Sequence, residues 1–325
     1  MPSSVRATPI HLLTSFANLN GGCERRSLEL YSFLRQHANV QLWGDALPKE
    51  AFSRYPVRVV HPYRGEYPCS GTLVILGPHT RIGQWLKFSD LQRVIVVANL
   101  YPYHSLLKML EFLDDCGIPS PEIVYASSLL KEEFGLPGTV EPSPIDLELF
   151  SPMAGQAVRP FTVGRLSRDQ LYKHHHEDPM LYEMLAEQGC SVRIMGGTCL
   201  LDRFMRSGPI ELLPEGTINA PDFLRRLDCF FYRTAEEYCE PSGRVVFEAM
   251  ACGLPVVCGR GGYAEHIVQG QNGFLVHSQE EAYETVMRLK QDQALRDAIG
   301  TAARKTVEKL YDANYWQQML KFYLG

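Results

Sequence analysis

Short apolar runs, rich in β-branched residues and bounded by Gly, Pro or Asp, recur along this chain and alternate with longer stretches of helical periodicity. In the first half the runs are 10–16, 40–43, 57–60, 72–76 and 94–98, and helical patterns cover 24–37, 105–115 and 127–134. In the second half, runs at 161–163, 190–195, 229–232 and 255–258 alternate with a short helical pattern at 244–252, and further helices follow at 280–290, 293–309 and 315–323. Continuous apolar runs between amphipathic helices suit parallel sheets buried on both faces. Strand, loop, helix in succession builds Rossmann-like halves. The proline-dense stretch Pro142-Ser143-Pro144, continuing through Phe150-Ser151-Pro152, reads as a linker between two such domains, 1–152 and 153–311.

One stretch, 240–274, carries more local signals than any other. Glu240-Pro241-Ser242-Gly243 is a small-residue turn, and Glu248-Ala249-Met250-Ala251 are strong helix formers. Gly253 closes that helix and Pro255 prevents its continuation. A helix N-terminus presents unpaired N–H groups and partial positive charge, so it attracts phosphate. Gly243, lacking a Cβ, lets the backbone come close, and Ser242 stands beside it. Glu240 before the helix and Glu248 inside it are acceptors for hydroxyls. Phosphate between two hydroxyl acceptors describes a nucleotide-sugar. The plainer alternative is a capping Glu240 and a solvated Glu248.

Composition narrows the classes. A chain of 325 residues, 45% hydrophobic and 21% charged, fits two globular domains. A formal charge of −5 argues against nonspecific nucleic-acid binding, so no nucleic-acid partner is expected. Nine cysteines without a CxxC pair suggest reduced thiols rather than a disulfide framework or zinc site. Residues 1–16 lack a signal-peptide layout and no apolar run approaches a membrane span, so a cytoplasmic protein is expected. Basic residues beside apolar ones at 24–37 (Arg25, Arg26, Arg35) and 81–93 (Arg81, Lys87, Arg93) would allow peripheral contact with the inner face of a membrane. Ordinary amphipathic helices with solvated charges are the alternative.

Glu240-x7-Glu248 with AMACGLPVV, GGYAEHI and QNGFLV resembles the donor-site signature of retaining GT-B glycosyltransferases of family 4, the group 1 glycosyltransferases. The likeness spans most of 156–276, with weaker traces at 16–22 and 121–152. It implies an α/β GT-B fold, two Rossmann-like domains with parallel sheets facing an interdomain cleft, and a final helix, 312–325, that crosses back onto the N-terminal domain. It implies a nucleoside-diphosphate sugar in the C-terminal domain, with UDP-glucose the first choice, and no required metal or other cofactor. The acceptor would be a glycan, a lipid-linked glycan or a small molecule.

The resemblance also distributes roles. GRLSRDQLYK resembles the family's Arg…Lys pair at a longer spacing, making Arg165 and Lys173 the cations that neutralise the departing diphosphate, with Glu240 on the sugar hydroxyls and Glu248 on ribose. Gly21 and Gly22 would face the diphosphate, although the loop lacks GxGxxG spacing and a tight turn explains it equally. Gly196 ends a strand where backbone nears ligand, and the segment around Leu213 would meet the base. Many relatives carry a histidine after the strand matching 94–98. Here Asn99-Leu100-Tyr101 stands there and His104 is displaced, so His79 and His104 are acceptor-side candidates only. His174, His175 and His176 invite a metal reading, but consecutive side chains rarely converge on one ion, and no metal site is expected. Two rivals remain: a nucleotide-sugar epimerase of the same fold, and a noncatalytic regulatory subunit that binds nucleotide-sugar.

Overall fold

The computed structural model describes residues 8–100, 103–153, 159–205 and 208–325. Tyr101, most of the 1–16 segment's start and the first positions of 156–276 lie outside the described residues. The chain forms two units, 1–144 with 313–325, and 145–312.

The first unit runs β1 (Ile10–Thr14), α1 (Gly22–Leu34), β2 (Val40–Gly44), β3 (Val57–Val59), β4 (Gly71–Leu76), β5 (Leu91–Ala98), α2 (Tyr103–Asp115), β6 (Glu122–Tyr125), α3 (Ser128–Phe134) and β7 (Thr139–Val140). Its seven strands are parallel, in the order β3-β2-β1-β4-β5-β6-β7. The second unit runs β8 (Thr162–Leu166), α4 (Asp178–Glu187), β9 (Ser191–Met195), β10 (Ile210–Leu213), α5 (Ala220–Leu224), β11 (Cys229–Tyr232), α6 (Arg244–Ala251), β12 (Val256–Cys258), β13 (Phe274–Leu275), α7 (Gln279–Gln291) and α8 (Gln293–Leu310). Its six strands are also parallel, ordered β10-β9-β8-β11-β12-β13. The strands' continuous hydrophobicity is explained: every residue of β1, β4 and β11 is buried. Each sheet winds outward in both directions from its centre. In the second unit the reversal falls between β8 and β11, and parallel sheets bind ligands at the carboxyl ends of strands flanking such a point.

Helix starts follow local chemistry. Ser127, Asn219, Ser278 and Asp292 each accept a first-turn N–H through the side chain, opening α3, α5, α7 and α8. Residues 145–152 belong to the second unit because two of its arginines grip their backbone. Arg225 donates to the carbonyls of Leu149 (2.6 Å) and Ser151 (3.0 Å), and Arg304 to that of Phe150 (2.7 Å). The boundary thus falls at 144/145, ahead of the proline-dense segment's end.

The last helix, α9 (Ala313–Leu324), packs in the first unit, with Met319 and Tyr323 buried in the same cluster as Leu30 and Leu34. Burying two such side chains is worth about 1.5–3 kcal/mol each. Tyr323 Oη donates to Glu141 Oε1 at 3.1 Å, and the same oxygen receives Arg26 Nη2 at 2.6 Å. Of the three arginines read as the basic face of α1, one turns inward. Arg26 is fully buried and also donates to Asn99 Oδ1 at 3.0 Å, so it holds α1, β5 and the end of β7 together rather than facing solvent. Arg93 similarly pairs with Glu122 at 2.7 Å. No described helix is long and apolar enough to cross a membrane.

Candidate functional site

At the carboxyl end of β8 the chain loops into a 3-10 turn, Leu171–Lys173, and beyond β11 it passes through an irregular segment to Glu240. These two excursions meet. Lys173 Nζ donates to Glu240 Oε2 at 2.7 Å, and both residues are only 7% exposed. Tyr232 Oη, from the last residue of β11, donates to the same carboxylate oxygen at 2.6 Å. Lys173 Nζ also lies 3.0 Å from Tyr238 Oη. Burial alone would push the Glu240 carboxyl up. The Lys173 ammonium outweighs it, together with hydrogen bonds from Lys173, Tyr232 and the Gly243 backbone, and the carboxyl sits below its ordinary range. Glu240 is therefore a buried, ionised carboxylate touching the start of α6.

Gly243 occupies the N-cap of α6 with φ +63°. A Cβ there would stand 2.0 Å from Tyr263 Cδ1, so both the left-handed backbone and the ring beneath demand glycine. Ser242 beside it is half-buried. The Glu240 carbonyl accepts from Gly262 N at 2.8 Å, fixing the approach to the helix against the loop after β12. Glu248, 2% exposed, accepts from Arg244 Nε at 2.7 Å across one helical turn. The solvated-face alternative for Glu248 is set aside by that burial. The helix N-cap is Gly243 rather than Glu240, whose carboxylate accepts from the Gly243 backbone N–H while it pairs with Lys173.

Arg165 stands beyond the apolar run 161–163, and the strand extends over it. It lies on β8 itself and is completely buried. Its guanidinium donates to the carbonyls of Arg233 (2.8 Å) and Lys173, approaches Asp178 at 3.5 Å, and lies over the Tyr232 ring at 4.7 Å. Asp178, also completely buried, takes Arg233 Nε at 2.9 Å. In this arrangement Arg165 offers no surface to a ligand. It fixes the backbone of Lys173 from behind.

The neighbouring turn joins the same constellation. His174 is buried with Nε2 2.9 Å from the Gly196 carbonyl. Burial, aided by Arg165, pulls its pKa down to about 3, so it is neutral. Gly196 has φ +80°, and a Cβ would meet the Ser167 carbonyl oxygen at 2.0 Å. Its N–H donates to the Leu213 carbonyl at 2.8 Å. Leu213, Gly196, His174, Lys173, Glu240 and Gly243 thus form one connected line along the carboxyl edge of the second sheet.

The first-unit candidates are simpler. Gly21 is the N-cap of α1, and a side chain there would strike the Glu24 carboxylate, which accepts from Asn18 N at 3.1 Å. Nothing lies within 4 Å of a Cβ at Gly22. His79, just past β4, and His104, in the first turn of α2, are both exposed. Sequence reasoning missed Tyr232, Tyr238, Asp178 and Arg233. Only Tyr232 left a signal, as a polar tip ending an apolar strand.

Comparison with known proteins fits this geometry. A family model described as glycosyl transferases group 1 matches residues 216–306. The capsular polysaccharide biosynthesis glycosyltransferase CapM of Staphylococcus aureus is 25% identical over 174 residues, 50% of this chain and 44% of that protein. Spore coat protein SA of Bacillus subtilis is 33% identical over 89 residues, 26% of this chain and 23% of that protein. The matches span less than half the length of these relatives. Among solved structures, Anabaena HepE in complex with UDP-glucose has a TM-score of 0.73 at 18% identity, covering 97% of this chain and 98% of that one. Sucrose-phosphate synthase from Thermosynechococcus elongatus gives 0.72 at 16% identity, covering 97% and 98%. The fold is GT-B, with two parallel-sheet α/β domains.

Proposed function

We propose that this chain is a retaining glycosyltransferase that moves a hexose from a nucleoside-diphosphate sugar, UDP-glucose first, to a hydroxyl of a glycan, a lipid-linked glycan or a small molecule. The observation that carries the reading is the buried Lys173–Glu240 pair at the N-terminus of α6, with Gly243 in the left-handed conformation at the cap. Lys173 spends two of its three N–H groups on Glu240 and Tyr238, leaving one for a phosphate oxygen. Breaking the sugar–diphosphate bond builds negative charge on the leaving group. A fixed ammonium and the first amides of a helix stabilise that charge without reorganising. Glu240 reads the sugar hydroxyls, Glu248 the ribose, and the backbone of Gly196 and Leu213 borders the base. Arg165 serves as a positioning residue, through the Lys173 carbonyl. The diphosphate's charge is met by the chain's own groups, so the reading requires no metal ion. That HepE was crystallised with UDP-glucose supports the choice of donor.

A thermal-shift panel of nucleoside diphosphates and their sugars tests the donor, since a ligand binding only the folded state raises Tm. UDP release from UDP-glucose, with the product anomer read by NMR, tests transfer and its stereochemistry. Isomerised donor without acceptor would mean an epimerase. Tight binding without transfer or hydrolysis would mean a regulatory subunit.

A further inference from the structure

The histidine run after Lys173 does not behave uniformly. His174 turns inward onto Gly196, whereas the rings of His175 and His176 lie face to face, with centroids 4.5 Å apart and 29° between planes. Glu236, on the loop after β11, brings a carboxylate oxygen to 3.5 Å from His175 Nε2. One ligand atom from each of His175, His176 and Glu236 lies within 4.8 Å of the other two. On the far side of the His175 ring, Nδ1 stands 3.6 Å from the Glu177 carboxylate. This geometry points to a site for a borderline divalent cation, Zn²⁺, Co²⁺ or Ni²⁺, held by His175, His176 and Glu236.

The chemistry of the donors selects the ion. Two imidazoles and one carboxylate are a set that zinc accepts while keeping positions open for water. Mg²⁺ and Ca²⁺ prefer oxygen alone. A ligating histidine commonly hands its other N–H to a carboxylate, which fixes the tautomer, and Glu177 stands where that partner is needed. At present the Glu177 backbone N–H donates to His175 Nδ1 at 3.3 Å, so the ring proton sits on Nε2, facing Glu236. Metal binding at Nε2 requires the other tautomer. The proton then resides on Nδ1, which releases the Glu177 backbone N–H to solvent and donates to the Glu177 carboxylate instead, with no net proton change on the ring.

Entry from solvent is open, since His176 and Glu236 are exposed. The site also has a mechanical meaning. His175 and His176 stand two and three positions after Lys173, and Glu236 four positions before Glu240, so an ion there ties together the two loops that carry the buried pair. The site stands on its own donors, and its test is independent of any transfer reaction.

The test is a titration of the chelator-treated full chain with Co²⁺, followed by visible d–d absorption, in a Cys69→Ser background because Cys69 is an exposed thiol. One equivalent should bind, Zn²⁺ should displace it and Mg²⁺ should not. His176→Ala and Glu236→Gln should each weaken binding at least about tenfold, and Glu177→Gln about tenfold through the lost partner. Zn²⁺ should raise the Tm of the parent and leave the His176→Ala/Glu236→Gln double variant unmoved. Undiminished one-equivalent binding by that double variant overturns the site. So does the absence of cobalt absorption in the parent up to millimolar metal.

Discussion

Lys173 and Glu240 are 67 positions apart in the chain and 2.7 Å apart in space, enclosed by Tyr232 and Tyr238. A charge pair so deeply buried is costly to break from one side, because the survivor is left desolvated and unpaired. Lys173→Ala or Glu240→Ala should each destabilise the second unit by about 3–5 kcal/mol in urea unfolding. The double variant should lose clearly less than the sum. Both single variants should also lower kcat/KM for UDP-glucose on the order of 10²-fold or more, the scale of a lost transition-state contact. Near-normal turnover in both would remove the proposed mechanism.

Gly243 and Gly22 make a matched pair for substitution. Gly243→Ala must place a Cβ against the Tyr263 ring at positive φ, and should cost about 2 kcal/mol or more while weakening nucleotide binding. Gly22→Ala meets open space at the start of α1 and should be neutral, or stabilising by up to about 1 kcal/mol. Equal effects in paired melts and UDP titrations would contradict this distinction.

For Arg165 the relevant readout is stability against KM. Lysine cannot reproduce the fork that reaches two carbonyls and Asp178, so Arg165→Lys should lower stability by about 2 kcal/mol or more. The KM for UDP-glucose in the folded fraction should stay close to the parent's. A raised KM at unchanged Tm would instead mean that the guanidinium touches the diphosphate.

Acid sensitivity is expected in the first unit through His11. The ring is 3% exposed, its Nε2 donates to the Ser70 carbonyl at 3.0 Å, and its Nδ1 accepts from Trp43 Nε1 at 3.0 Å. Both nitrogens are therefore committed to the neutral form. Burial lowers the pKa from the ordinary 6.5, against the pull of the Ser70 hydrogen bond. The unfolded chain protonates first as pH falls, so it binds more protons than the folded chain and stability drops below about pH 6.5, by at most about 1.4 kcal/mol per pH unit. Urea midpoints between pH 7.5 and about 5 should fall less steeply in His11→Gln than in the parent. Parallel slopes would show that His11 does not titrate this way.

Much of the fold was legible because parallel strands announce themselves locally. The runs at 40–43, 72–76 and 229–232 became β2, β4 and β11 with ends moved by a residue or two at most. The turn at Gly243 and the stop at Gly253 were legible for the same reason, since each depends on residues within a few positions. What could not be read is everything decided by partners far along the chain. Arg165 lies two positions past the apolar run 161–163 in sequence, and only the strand's extension to Leu166 buries it against Asp178 and Arg233. Arg26 fits a solvated helical face until Glu141 and Asn99 close over it. The three consecutive histidines part ways in space: His174 turns onto Gly196, whereas the rings of His175 and His176 stack face to face.

The placement of α9 sets an order of assembly. Residues 313–324 complete the cluster containing Leu30 and Leu34 and supply the hydroxyl that reaches Glu141. During synthesis the first unit's strands leave the ribosome earliest, yet this layer reaches them only after the whole second unit has been made. The half of the molecule that begins first is finished last, and until then its buried arginine and the apolar floor around it stand open to water.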